Sequence, residues 1–203
     1  IKLKGMWRTI YILPYAMPAF ISLLVFRLMF NGIGPINNML VNFGIERIPF
    51  FTDLILAKIS VLAINTWVGA PYFMVLLSGS LTNISSTLYE AAEIDGATKM
   101  QQFKHITLPM LLFQTAPVLI LSFAYNFNNF GAIYLLTDGN PVNSNLKFAG
   151  ETDILVTWLY KLTVNQQQFG MAAVISIVLF AFIATVSLYN FRKSKSFTEE
   201  DMI

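Results

Sequence analysis

Residues 89–109 read "YEAAEIDGATKMQQFKHITLP". Glu90, Glu93, Asp95, Lys99, Lys104 and His105 all fall inside this stretch. The runs on either side, "APYFMVLLSGSL" at 70–81 and "MLLFQTAPVLILSFA" at 110–124, carry no charge. A charged island between uncharged runs marks a place where the chain emerges from apolar surroundings into water. The reading of those surroundings decides the fold.

The composition is 56% hydrophobic and 12% charged, with a mean hydropathy of +0.62. Soluble domains carry roughly twice that charged fraction. A bilayer crossing needs about 20 mostly apolar residues. Four stretches qualify: 10–30, 59–81, 108–136 and 171–191. Only Arg27 is charged within them, near one end where its stem can reach the interface. The expectation is an all-α, polytopic transmembrane helix bundle forming one domain over 1–203. The start at Ile1 rather than Met gives the further expectation that an upstream segment precedes it.

Lys and Arg in short loops set the orientation. Lys2, Lys4 and Arg8 precede the first span, Lys99 and Lys104 follow the second, and Arg192, Lys193 and Lys195 follow the fourth. The opposite side holds Arg47, Lys58, Lys147 and Lys161. The first group is expected in the cytoplasm, which makes 84–107 a cytoplasmic loop and the C-terminus cytoplasmic. On the outer side, apolar stripes over 35–44 and 151–163 have helical spacing. They read as short interfacial helices, or as helices packed against the spans.

Several functions are excluded. A net charge of +2 leaves no nucleic-acid footprint. With no cysteine and a single histidine, neither a disulfide, a thiolate metal site nor a metal-spaced cluster is expected. There is no G-x-x-x-x-G-K-[ST] stretch to cradle phosphates, and nothing points to a cofactor or to catalysis by this chain.

Within the loop, Thr87 and Glu90 have capping-box spacing, so a helix over 88–94 is expected. Asp95-Gly96 breaks it. A second helix starts near Ala97, and Pro109 suits the first turn of the next span. Ala91, Ala92 and Ala97 are small enough to let a partner approach closely. A capped interfacial helix without a partner has the same local sequence.

"SFAYNFNNF" at 122–130 places Ser122, Asn126 and Asn129 at i, i+4 and i+7, hence on one expected helix face, with Asn128 elsewhere. Amides in hydrocarbon need partners, so they either hydrogen-bond neighbouring helices or line a cavity. Phe123, Tyr125, Phe127 and Phe130 surround them, and amides beside flat rings suit sugars. Pro14 and Pro18 frame Tyr15, while Asn65, Trp67, Gly69 and Pro71 cluster in the second span. Such irregular helices are tolerated where they line a cavity.

The pattern Glu90-Ala91-Ala92, three residues, Gly96, nine residues, Ile106-Thr107-Leu108-Pro109 resembles the EAA loop of ABC importer membrane subunits. The resemblance implies that Glu90, Ala91, Ala92, Asp95, Gly96, Ile106, Leu108 and Pro109 dock on and couple to a cytoplasmic ATPase. "LPYAMPAFIS", "NTWVGAPYFM" and "SFAYNFNNF" resemble the larger, MalF-type membrane subunit of maltose/maltodextrin importers, over essentially the whole chain. That likeness implies a type I importer permease core in a prokaryotic cytoplasmic membrane. It implies a sugar held by Tyr15, Asn65, Val68, Gly69, Ser122, Asn126 and Asn129. Its implied partners are a second homologous permease subunit, two ATPase subunits, an extracellular sugar-binding protein and membrane lipid. Ala19 stands where the best-known member of the group carries a site serine, so one hydroxyl contact is absent here. The rival reading is an ion-coupled secondary transporter, which normally carries ionisable residues inside its spans.

Overall fold

The computed structural model describes residues 4–145 and 147–193; Lys2 and Lys195, used above for orientation, lie outside them. Ten α-helices occur among the described residues: α1 (Lys4–Ile12), α2 (Ala19–Met29), α3 (Pro35–Asn42), α4 (Leu54–Thr82), α5 (Ser86–Ile94), α6 (Lys99–Gln102), α7 (Leu108–Phe127), α8 (Phe130–Leu136), α9 (Leu155–Tyr160) and α10 (Phe169–Lys193). No strand occurs among these residues; Val142 and Gly150 form an isolated bridge.

Three helical runs are long and apolar enough to cross a membrane: Leu54–Thr82, Lys99–Phe127 and Phe169–Arg192. At 29 residues, α4 is about 43 Å long, more than the roughly 30 Å of a hydrocarbon core. Its start is fixed by Asp53, whose carboxylate accepts the amides of Leu56 (2.8 Å) and Ile55 (3.0 Å). On α10, Ile177 is 68% and Phe180 74% exposed. Such a surface is costly in water and suited to lipid.

Two expected spans differ from the structure. Residues 10–30 are not one continuous helix. A 3₁₀ turn over Leu13–Ala16 and extended Pro18 (φ −54°, ψ 131°) separate α1 from the 11-residue α2. Pro14 and Pro18 have no amide hydrogen, so the helical ladder loses two rungs there. Residues 108–136 divide at Asn128–Asn129 into α7 and α8.

The chain divides into two compact units, 1–71 with 127–181 and 72–126 with 182–203. In the first, Leu23 of α2, Val61 and Ile64 of α4, and Ile133 and Leu136 of α8 form a buried core. Phe26, Phe30, Phe51, Val68, Leu135 and Ile154 pack around it. Between helices in lipid there is no hydrophobic drive, so close packing and interhelical hydrogen bonds hold such a core.

The α2–α3 connection shows how local chemistry fixes this unit. A side chain at Gly34 would sit 2.3 Å from the Leu28 carbonyl oxygen, so only glycine fits before Pro35 opens α3. Asn37, fully buried, donates from Nδ2 to the carbonyls of Asn31 (3.1 Å) and Ile48 (3.0 Å). Its Oδ1 accepts the Ile48 amide at 2.8 Å. One amide thereby clips the extended segment after α3 onto the connection before it.

The second unit holds α5, α6 and most of α7. A π-helical turn over Phe103–Thr107 joins α6 to α7, with the Leu108 amide bonding the Phe103 carbonyl. Pro109 explains it. The ring cannot donate and would crowd the carbonyl four residues back, and a widened turn relieves that clash.

Candidate functional site

In the first unit, Asn65, Val68 and Gly69 fall on one side of α4, at i, i+3 and i+4. Val68 leans on the core, and a Cβ built at Gly69 would meet no atom within 4 Å. Asn65 is half-buried, and its Oδ1 accepts the Nδ2 of half-buried Asn129 at 3.0 Å. Asn129 works twice, since its Oδ1 also accepts the Ala132 amide at 3.3 Å and caps α8. Two amides in an apolar unit thus orient one another, and an amide pair of this kind has the donor and acceptor types that meet hydroxyl groups. Tyr15 lies in the 3₁₀ turn and is 56% exposed.

In the second unit, Ser122 and Asn126 are one turn apart on α7. The Asn126 Nδ2 donates back to the Ser122 carbonyl at 2.9 Å. The expectation that Ser122, Asn126 and Asn129 share a helix face is corrected: α7 ends at Phe127, and Asn129 (φ −76°, ψ 67°) is outside both helices. An Asn side chain bonds nearby backbone readily, which makes it a weak helix-interior residue and a strong cap.

Next to Asn129, the expected aromatic Phe130 is joined by two rings outside the expected set, Tyr134 and Tyr160. Phe130 stacks on Tyr134 at 4.9 Å, and Tyr160 meets both rings edge-on at 5.0 and 5.5 Å. The four-residue spacing of Phe130 and Tyr134 was a legible signal for the first pair. Tyr160, distant in sequence, gave none.

The loop of the second unit is built around Gly96. Here φ is +76°, a conformation side chains resist. The Ala97 amide bonds the Ala92 carbonyl (2.8 Å) and the Gly96 amide bonds that of Glu93 (3.0 Å). These two bonds are the Schellman closure, which satisfies the last carbonyls of α5. Thr98 then caps α6 in a reciprocal box with Gln101.

The expected capping box of Thr87 and Glu90 is corrected. The cap is Ser85, whose hydroxyl accepts the Thr87 amide, so α5 begins at Ser86, two residues earlier, and Thr87 lies inside it. Pro109 does lie in the first turn of α7, but α7 continues from α6 through the π turn as one helical run, Lys99–Phe127.

Glu90 and Ala91 are exposed on α5, Ala92 is half-buried, and Asp95 is the last residue before the elbow. Ile106 is half-buried and Leu108 and Pro109 are exposed at the base. Ala92, Asp95, Gly96, Ala97, Gln101, Gln102, His105 and Ile106 line an open groove of about 320 Å³. Ile94 (88%) and Met100 (73%) stand out as exposed apolar side chains beside it. Lys99 pairs with Glu93 across the elbow and holds its carboxyl below the usual carboxylate range. No group of three or more potential metal ligands occurs among the described residues.

Comparison with known proteins accords with this architecture. The family described as "Binding-protein-dependent transport system inner membrane component" matches residues 1–195. The galactooligosaccharide transport permease GanP of Bacillus subtilis is 42% identical over 202 residues, 98% of this chain and 48% of GanP. The maltodextrin transport permease MdxF of the same organism is 42% identical over 212 residues, covering 100% of the chain and 48% of MdxF. The maltose/maltodextrin permease MalF of Vibrio vulnificus is 44% identical over 202 residues, 96% of the chain and 38% of MalF. The chain thus spans about half the length, or less, of the curated relatives it matches. Among solved structures, a bacterial ABC transporter that imports the acidic polysaccharide alginate aligns with a TM-score of 0.80 and 25% identity. It covers 98% of this chain and 69% of that one. The same alginate transporter in complex with its pentasaccharide-bound periplasmic protein gives 0.78 and 26%, covering 98% and 68%. An all-helical fold, three apolar helices of spanning length and a family match over nearly the entire sequence agree: this chain is a multi-pass membrane protein and belongs to the family of binding-protein-dependent transport system inner membrane components.

Proposed function

We propose that this chain is part of the permease subunit of an ABC importer that carries maltose and maltodextrins across a prokaryotic cytoplasmic membrane. It does no bond chemistry. Transport proceeds by alternating access, with energy from two separate ATPase subunits, a second homologous permease completing the pathway and an extracellular binding protein delivering sugar. The observation that carries the reading is the loop over 86–107: a fixed glycine elbow presenting exposed Glu90, Ala91 and Ile94. Such a surface suits a protein partner better than it suits water. In this reading Glu90, Ala91, Ala92, Asp95 and Gly96 meet the ATPase, while Ile106, Leu108 and Pro109 pass its movement to α7. The loop and the C-terminus then face the cytoplasm.

Sugar would be held by Tyr15, Asn65, Val68, Gly69, Ser122, Asn126 and Asn129. What supports this is the chemistry of the Asn65–Asn129 pair and the open space at Gly69. GanP's similar identity favours a second substrate reading, a galactooligosaccharide. Purification of the complete transporter, followed by uptake into proteoliposomes of labelled maltotriose against labelled galactotriose, separates the two. Preferred uptake of maltotriose supports the assignment; preferred uptake of galactotriose replaces the sugar and keeps the importer. Uptake driven by an ion gradient without ATP overturns both.

A further inference from the structure

Two routes lead from α5 to the base of α7. The covalent route passes two joints, the Gly96 elbow and the π turn over Phe103–Thr107, with α6 between them. Helices bend readily at π turns. The second route is a single side-chain bond: the Tyr89 hydroxyl lies 2.8 Å from Thr107 Oγ1, 18 residues away, and both residues are half-buried. Tyr89 directly precedes the exposed Glu90-Ala91 face, and Thr107 is the last residue of the π turn, next to Leu108 where α7 begins. The bond therefore bridges both joints.

We infer that Tyr89 and Thr107 form a strut that makes α5 and the cytoplasmic end of α7 one rigid lever, so that displacement of the loop enters the span instead of being absorbed at the elbow and the π turn. They are positioning residues and touch no substrate. The inference rests on the coupling role proposed for the loop.

Residues 1–203 contain no cysteine, so a pair introduced at Leu88 on α5 and Leu112 on α7, both exposed, takes spin labels without background from these residues. In the complete transporter in liposomes, the distance distribution between them should be narrow. Tyr89→Phe removes one oxygen atom, and Thr107→Val replaces a hydroxyl with a methyl group. Each should broaden the distribution and lower the sugar carried per ATP hydrolysed about three- to tenfold, the range one hydrogen bond supplies. Thr107→Ser should restore both. Unchanged width and unchanged coupling in Tyr89→Phe and Thr107→Val overturn the strut. If Gly96→Pro still uncouples transport in that case, the loop reading survives it; if Gly96→Pro also transports normally, both fall.

Discussion

At the scale of single residues, two side-chain choices are decisive. Gly96 has φ +76°, and a Cβ there would meet nothing within 4 Å. The penalty for Gly96→Ala is therefore conformational alone, about 1–2 kcal/mol. Gly96→Asn should cost less, because Asn enters the left-handed region more easily. Thermal unfolding of the complex in detergent should rank them glycine, asparagine, alanine. Gly96→Pro cannot adopt the angle and also removes the amide that closes on Glu93, so ATPase association should be lost with membrane insertion intact. The other choice is Asn129. Asn129→Ala removes both the cap of α8 and the donor to Asn65, and by a cap at about 1 kcal/mol and a hydrogen bond at about 0.5–1.5, uptake should fall roughly ten- to hundredfold. Asn129→Asp keeps the capping oxygen but replaces the donor to Asn65 with a carboxylate oxygen. If sugar handling is what the pair serves, Asn129→Asp should assemble normally yet transport as poorly as Asn129→Ala, measured as uptake beside complex yield. Normal uptake by Asn129→Asp would remove the pair from the site.

At the scale of elements, the loop couples charge to shape. Lys99 holds the Glu93 carboxyl below its usual range. A carboxylate depressed in the folded state contributes stability that is full above its unfolded value and is lost as pH falls through its folded one. Order at the elbow should thus be constant from neutral pH to about 5 and weaken below it. Because the pair is exposed, the effect is small. In Lys99→Met the Glu93 carboxyl should titrate at higher pH than in the wild type, read by side-chain carbonyl NMR; an unchanged midpoint refutes the pairing. The glycine elbow was legible in the sequence because Asp-Gly after a helical pattern has few other uses. The cap was misplaced by two residues because Ser85, Ser86 and Thr87 offer three hydroxyls in a row and spacing alone favoured the one with a glutamate three residues on. The break at Asn128–Asn129 was hidden for a different reason. Hydropathy runs on through Phe130 to Leu136, while Asn129 leaves the helical conformation and caps α8. Tyr160 was illegible, since nothing local to residue 160 specifies proximity to residue 130.

For the whole molecule, the central claim is that this permease moves sugar only when another polypeptide hydrolyses ATP and pushes on its loop. The absence of a phosphate-cradling stretch leads to a subsidiary expectation: the purified chain alone should not retain nucleotide in equilibrium dialysis. The Lys99–Phe127 run is continuous with the loop and long and apolar enough to cross a membrane, which offers that push a path. The most direct measurement is accumulation of labelled maltotriose in proteoliposomes bearing the complete transporter and its binding protein, with ATP or its non-hydrolysable analogue inside, for wild type and Gly96→Pro. The account predicts accumulation by wild type with ATP, none with the analogue, and none for Gly96→Pro under either condition. Accumulation without hydrolysis, or wild-type accumulation by Gly96→Pro, would contradict it.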